Sequence, residues 1–255
     1  SSYSIRLHDA VEEALTIGRA ARIPVHIAHI KALGVDVHGQ APAIIAMIEA
    51  AQRAGQVVHA DQYAWSASHT GLSAAVIPRS AQDGGRAAML KRFDDAPTME
   101  KMRPEILENL RRRGGAASLL ITSGPANAQG KTLEAFAKEQ GVDSVAATIA
   151  ILKQSEARVA SFNQSENDIA AFMLRPWVVT SSDATLGHPR YYGSFARKYA
   201  TYVKDAKVMS LQAFIDQSTS TTAATLLLSA NDDIPSSDEA IRSDFLEDDA
   251  SFDPG

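Results

Sequence analysis

A small set of polar side chains falls where an α/β protein does its chemistry. His29 and Lys31 end one short apolar run, and Asp61 and Tyr63 end a second. Asp183 follows a third, Val178-Val179-Thr180, with His188 and Arg190 in the same loop. In parallel βα architectures, functional side chains gather at the carboxyl ends of strands and in the loops that follow. An imidazole, an ammonium, a carboxylate and a guanidinium at one rim suit metal-assisted hydrolysis of an anionic substrate.

Each of these residues also has a plainer role. A lone histidine at a strand end is more often a hydrogen-bonded structural group than a ligand. An aspartate after a strand commonly caps a helix or forms a turn. Lys31 and Arg190 taken singly could be solvated charges. Strand parity turns His26 away from Val25, Ile27 and His29, which assigns it to structure. His59 lies deeper in its strand than Asp61 and is assigned to structure too. His8 falls on a helix, and His38 and His69 fall on loops without a partner at ligand spacing. No HxH, HExxH or glycine-rich phosphate loop occurs, and Gly84-Gly85 and Gly114-Gly115 read as helix punctuation. From the residues alone the chain is an α/β protein with a polar rim site, and its chemistry stays open.

The elements that must position these residues are legible as patterns. Leu7, Val11, Ala14, Leu15 and Gly18 share one face of a helix over about 5–22. The apolar run 23–29 reads as a buried strand. Pro42 opens a second helix that Gly55 ends. Residues 56–61 form a second strand, and the alternation argues for parallel βα units. Between about 64 and 160 the rhythm breaks. Helical patterns at 86–93, 99–112, 132–140 and 143–153 surround one apolar strand at 118–121, and a stretch this long reads as an inserted subdomain. The alternation is expected to resume with a strand at 157–162, a helix near 165–173 and a strand at 177–181. Helices near 194–205 and 210–228 follow.

Composition bounds the rest. The 255 residues are 45% hydrophobic and 22% charged, as in ordinary globular proteins. No run approaches the roughly 18 to 20 apolar residues of a membrane span, and the N-terminus does not read as a signal peptide. The absence of cysteine excludes disulfides and thiolate metal sites. It does not fix the compartment. A net charge of -5 gives no reason to expect nucleic acid. The charge is concentrated: residues 231–255 hold nine acidic side chains against Arg242 alone, the pattern of a solvated acidic segment.

The same residues carry a resemblance. Residues 25–34, Val-His-Ile-Ala-His-Ile-Lys-Ala-Leu-Gly, resemble the I-S-H-x-K-x-x-G motif of N-acyl-D-amino-acid deacylases, the D-aminoacylase family of the amidohydrolase superfamily. Residues 61–68 resemble that family's D-x-Y-P-Y-x-A-S stretch, with Ala64 in place of proline. Gly130-Lys131-Thr132-Leu133 and Phe162-Asn163-Gln164-Ser165-Glu166 are similar to its segments approaching the last barrel strand. Ser182-Asp183-Ala184 and the stretch from His188 to Arg197 resemble its S-D-G/A and H-P-R-x-x-G-S-F-x-R signatures. The pieces run in order from about residue 5 to 228.

The resemblance implies the C-terminal part, about strands 6–8, of a metal-dependent (β/α)8 amidohydrolase barrel. Residues 1–63 would be its βα units, 64–160 the insertion between strands 7 and 8, and 161–230 the last barrel strand with the following helices. The cofactor it implies is zinc, one or two ions, with His29 and Asp183 as ligands and most ligands outside this chain. Asp183 would also transfer the proton, and Lys31, Tyr63 and Arg190 would hold the α-carboxylate of an N-acyl-D-amino acid. The family's HxH pair, its bridging cysteine or modified lysine and its histidine on strand 5 have no counterpart here. The expectation is therefore a chain inactive alone, with the N-terminal portion supplied by the same enzyme or a complementary chain, and no nucleic acid or membrane partner. The alternatives are a related cyclic-amide amidohydrolase of the hydantoinase or dihydroorotase kind, which the carboxylate clamp disfavours, and a non-catalytic accessory fragment.

Overall fold

The structure, a computed structural model, describes residues 6–226. The acidic segment 231–255 lies outside the described residues. Three strands, β1 (Val25–Ile27), β2 (Val58–Gln62) and β6 (Val178–Thr180), form a parallel sheet in the order β1-β2-β6. Val25 is level with Val58 and Ala60 with Val178. On one face Val25, Ile27, Val58, Ala60 and Val178 pack against α1 (Leu7–Ala21), α2 (Ala41–Arg53) and α9 (Glu166–Met173). Period-two alternation sends His26, His59 and Asp61 to the other face. Helix α1 can lie this close to β1 only because residue 18 is glycine, since a Cβ there would sit 2.2 Å from Val25 Cγ2.

Helix α2 is held from a distance. Its first residue and the loop before it direct two amides at buried Asp168 of α9, Gly39 N–H at 2.7 Å and Ala41 N–H at 3.1 Å. A carboxylate at a helix N-terminus satisfies orphan donors and complements the dipole.

The region after Tyr63 has its own sheet and core. β3 (Ala67–Gly71), β5 (Arg158–Phe162) and β4 (Leu119–Ser123) are antiparallel, with β5 central and Ala67 opposite Phe162. Six helices, α3 (Leu72–Val76), α4 (Arg79–Gln82), α5 (Gly85–Asp94), α6 (Ala96–Arg112), α7 (Leu133–Gln140) and α8 (Ser144–Gln154), enclose an apolar core around Ile106, Leu119, Ile121, Phe136 and Ile151. Side-chain caps start three of them: Asp95 accepts from Thr98 N–H, Thr132 from Ala135 N–H, and Asp143 from Val145 and Ala146 N–H.

Four expectations need correction. Strand 158–162 does not resume the parallel alternation but is the middle of the antiparallel sheet. His69 lies in β3 and not on a loop. The expected helix 194–205 is α10 (Arg190–Lys198) running into a π-helix, Tyr199–Asp205, and the expected helix 210–228 is broken at Thr219 into α11 (Leu211–Ser218) and α12 (Ser220–Thr225).

Candidate active site

The site lies at the carboxyl end of the parallel sheet. Strand β1 stops at Ile27, so strand parity does not govern His29. That residue sits in a turn at φ 42°, left-handed backbone that non-glycine residues seldom adopt. Its amide donates to Asp61 Oδ1 at 3.0 Å, and Lys31 Nζ donates to its carbonyl at 3.1 Å. Beyond β6 the chain turns again at Asp183, φ 44°, before α10 begins at Arg190.

Tyr63 is the floor on which these groups meet. Lys31 Nζ lies 5.1 Å and Arg190 Cζ 4.7 Å from its ring centroid, within range of cation–π attraction. Gln164 Nε2 donates to the Tyr63 hydroxyl at 3.1 Å. The Arg190 side chain is 2% exposed, and its Nη1 lies 2.7 Å from Asp183 Oδ2. That contact is an ion pair not aligned as a hydrogen bond. Nη1 and Nε of Arg190 are both buried without a hydrogen-bond acceptor among the described residues. Buried donors in this state are costly unless an acceptor reaches them, and the Asp183 carboxylate is the anion beside Nη1.

Burial pushes the Lys31 ammonium down to about 8; Asp183 and Asp61 act to raise it, and Arg190 acts with burial. Burial and the Lys31 charge likewise hold His29 below the usual imidazole value, outweighing Asp183 and Asp61. His29 is thus mainly neutral at pH 7, the form in which an imidazole can bind a metal. Asp61 behaves differently. Burial would raise its carboxyl, but hydrogen bonds from His26, Ser181 and the His29 amide together hold it below the ordinary carboxylate range.

The antiparallel sheet supplies a second wall. His188 Nδ1 accepts from the Arg190 amide at 3.0 Å. His188 meets the Trp65 ring edge-on at 5.4 Å and that of His69 at 6.0 Å. His69 lies between Thr122 Oγ1 (2.8 Å) and Thr185 Oγ1 (3.2 Å). Burial, with nearby Arg190, lowers His188 to about 4; burial, Arg158, His188 and Arg190 lower His69 to about 4.

Of the residues selected from sequence, Lys31 and Arg190 lie over the Tyr63 ring, Asp183 pairs with Arg190, and His29 is joined to Lys31 through its carbonyl. Asp61 and His188, also placed at the rim by sequence, join them, as do Trp65 and His69, which sequence did not single out. Ser68-His69-Thr70 lacks the apolar alternation of a half-buried strand, so nothing marked His69 as a strand residue.

Zinc sites use three or four protein ligands. Among the described residues no three His, Asp or Glu side chains converge to hold a metal. His29 and Asp183 have the right chemistry for two positions of such a site but not for a complete one.

No protein-family profile matches the chain. An N-acyl-D-glutamate deacylase from Alcaligenes xylosoxydans xylosoxydans is 26% identical over 215 residues, covering 82% of this chain and 36% of that protein. A crystal structure of N-acyl-D-glutamate deacylase from Bordetella bronchiseptica, complexed with zinc and a phosphonate mimic of the tetrahedral intermediate, matches with a TM-score of 0.66 at 23% identity. A D-aminoacylase structure described as defining a novel subset of amidohydrolases matches with a TM-score of 0.65 at 26% identity. Each solved structure is matched over 88% of this chain but only 40% of its own, so the chain spans less than half the length of the relatives it resembles. Over that stretch the chain is similar in sequence and in fold to N-acyl-D-glutamate deacylase and D-aminoacylase.

Proposed function

We propose that this chain carries the substrate-holding side of a zinc-dependent hydrolase that cleaves the amide bond of N-acyl-D-amino acids to a carboxylate and a free D-amino acid. The parallel sheet would be about strands 6–8 of a (β/α)8 barrel, with residues 64–160 inserted between strands 7 and 8. The N-terminal half would come from the same enzyme or a complementary chain. The observation that carries the reading is the buried Arg190 guanidinium, stacked on Tyr63 beside Lys31, with two donors lacking acceptors and Asp183 as its ion-pair partner.

A substrate α-carboxylate fits those donors. Arg190 and Lys31 would bind it with Tyr63 beneath, a planar fork and a point charge on one anion. The incoming carboxylate would compete with Asp183 for Arg190 and release the Asp183 carboxylate. Asp183 would then accept a proton from the attacking water and return it to the leaving amine. His29 and Asp183 would contribute two ligands to zinc, whose role when bound is to bring a water's pKa towards about 7. The remaining ligands would lie outside this chain, which alone is expected to be inactive.

The test is hydrolysis of a panel of N-acetyl-D-amino acids by the native protein containing this chain, beside its Asp183→Asn variant. Turnover of the D-acyl substrates that disappears in the variant supports the reading. Near-normal turnover in Asp183→Asn removes that residue from the mechanism.

A further inference from the structure

We propose that Asp61 is a positioning residue that sets His29 and Asp183 relative to each other by fastening together the ends of all three parallel strands. It stands in the middle strand, β2, between the two strands that carry the reactive groups. Its Oδ2 bonds His26 Nε2 of β1 at 2.8 Å, and its Oδ1 accepts the His29 amide at 3.0 Å. The same Oδ1 accepts the Ser181 hydroxyl at 2.5 Å, one residue past β6 and two before Asp183. The backbone repeats the tie, since the Ile30 amide donates to the Asp61 carbonyl at 2.8 Å and the Ser181 amide to the Gln62 carbonyl at 3.0 Å.

The two residues so fastened are unusual. Among the described residues only Arg22, His29, Asp183 and Lys207 are non-glycine residues with left-handed backbone. Arg22 ends a helix, where such a turn is common. His29 and Asp183 flank Asp61 on either side of the sheet and have no such reason. A sparsely populated backbone conformation persists only where its surroundings over-determine it. A carboxylate accepting three donors is what does so here. None of the three donors has a second acceptor among the hydrogen bonds of the described residues, so removing the carboxylate takes the side-chain tie from both turns and leaves the backbone bonds of Ile30 and Ser181.

The proposal uses the functional reading only in assigning His29 and Asp183 to the reaction, and its test separates the two. Hydrogen exchange of the His29 amide reports the tie without needing activity. A hydrogen bond to a charged acceptor is roughly twice as strong as one to a neutral acceptor, so Asp61→Asn in the full chain, which keeps a neutral Oδ1, should speed His29 exchange by about three- to tenfold while the core amides of Ile44 and Ile48 keep their rates. Unchanged His29 exchange, or acceleration only in step with Ile44 and Ile48, would overturn the proposal. Should Asp61→Asn not fold, Ser181→Ala removes one donor alone and is expected to shift the Asp183 backbone resonances; an unmoved Asp183 also overturns it. In the native enzyme Asp61→Asn is expected to lower kcat by a larger factor than it raises KM, because among the described residues the Asp61 carboxylate bonds His26, His29 and Ser181 and not Lys31, Tyr63 or Arg190. Faster His29 exchange with unaltered kcat would sink the positioning role. If the native protein hydrolyses no N-acyl-D-amino acid, the functional reading fails and the exchange result still decides whether Asp61 holds the two turns.

Discussion

Replacing Arg190 by lysine keeps the charge and removes the geometry. The guanidinium is 2% exposed, lies against Tyr63 at 4.7 Å, and holds Nε and Nη1 without hydrogen-bond acceptors among the described residues. In the proposed complex both would bond one carboxylate, whereas lysine offers a single ammonium. A hydrogen bond to a charged group contributes about 1.5–3 kcal/mol, and part of the ring contact is lost as well. A loss of about 2–3 kcal/mol corresponds to roughly 30- to 150-fold weaker binding. Calorimetric titration with N-acetyl-D-glutamate should show this in Arg190→Lys. The same titration with the analogue whose α-carboxylate is a carboxamide should show little difference between native and variant. Equal losses for both ligands, or no loss for the carboxylate, would refute the assignment of Arg190 to the α-carboxylate.

Further expectations concern metal, pH and stability. Equilibrium dialysis of this chain alone against zinc should give weak uptake, because no three ligands converge among its described residues; tight stoichiometric binding would contradict this. His69 and His188 are lowered to about 4 by burial and neighbouring cations, so the unfolded chain, with imidazoles near 6.5, takes up protons first as pH falls. Their contribution is present above about pH 6.5 and is lost towards pH 4, on the order of 1–2 kcal/mol for the pair by pH 5 after allowing for solvent screening. The fall in Tm from pH 6.5 to 5 should be shallower in His69→Gln, and an identical slope would argue against it. Asp168→Ala removes the acceptor of two amides at the start of α2 and should cost about 1–3 kcal/mol. At about 2–4 °C per kcal/mol for a chain of this size, Tm should drop by roughly 2–12 °C, whereas an unshifted Tm would leave the cap without energetic weight.

The amphipathic helix at the N-terminus, the strands around Val25 and Val58 and the strand at Val178 were legible because burial on one side imposes a period on apolar residues. The rim residues were legible because parallel strands put function at their carboxyl ends. What the sequence concealed depends on partners distant in the chain. Residues 158–162 are apolar enough to join either sheet, and only pairing with Ala67–Gly71 and Leu119–Ser123 decides between them. His26 was rightly turned away from the helix-covered face, but its bond to Asp61 spans 35 residues and has no local signature. The parity assigned to His29 failed because β1 ends two residues earlier than its apolar pattern. Lys198 is buried and its ammonium bonds Thr180 and Gln217, with burial pushing it down to about 7, yet its neighbours in sequence do not set it apart from a helix-surface lysine.

The pairing of Ala67 with Phe162 has a consequence for ancestry. The chain leaves the parallel sheet and comes back at adjacent points, so everything between is a closed excursion whose departure and return can be bridged by a short turn. Such a unit can be lengthened, exchanged or lost between lineages without redrawing the path of its host. Its own apolar core, built from residues between Leu72 and Val159, would travel with it. The parallel sheet and the wall above it are thus free to evolve at different rates. The contacts that His69 and His188 make between them mark the seam along which any exchanged wall would have to be refitted.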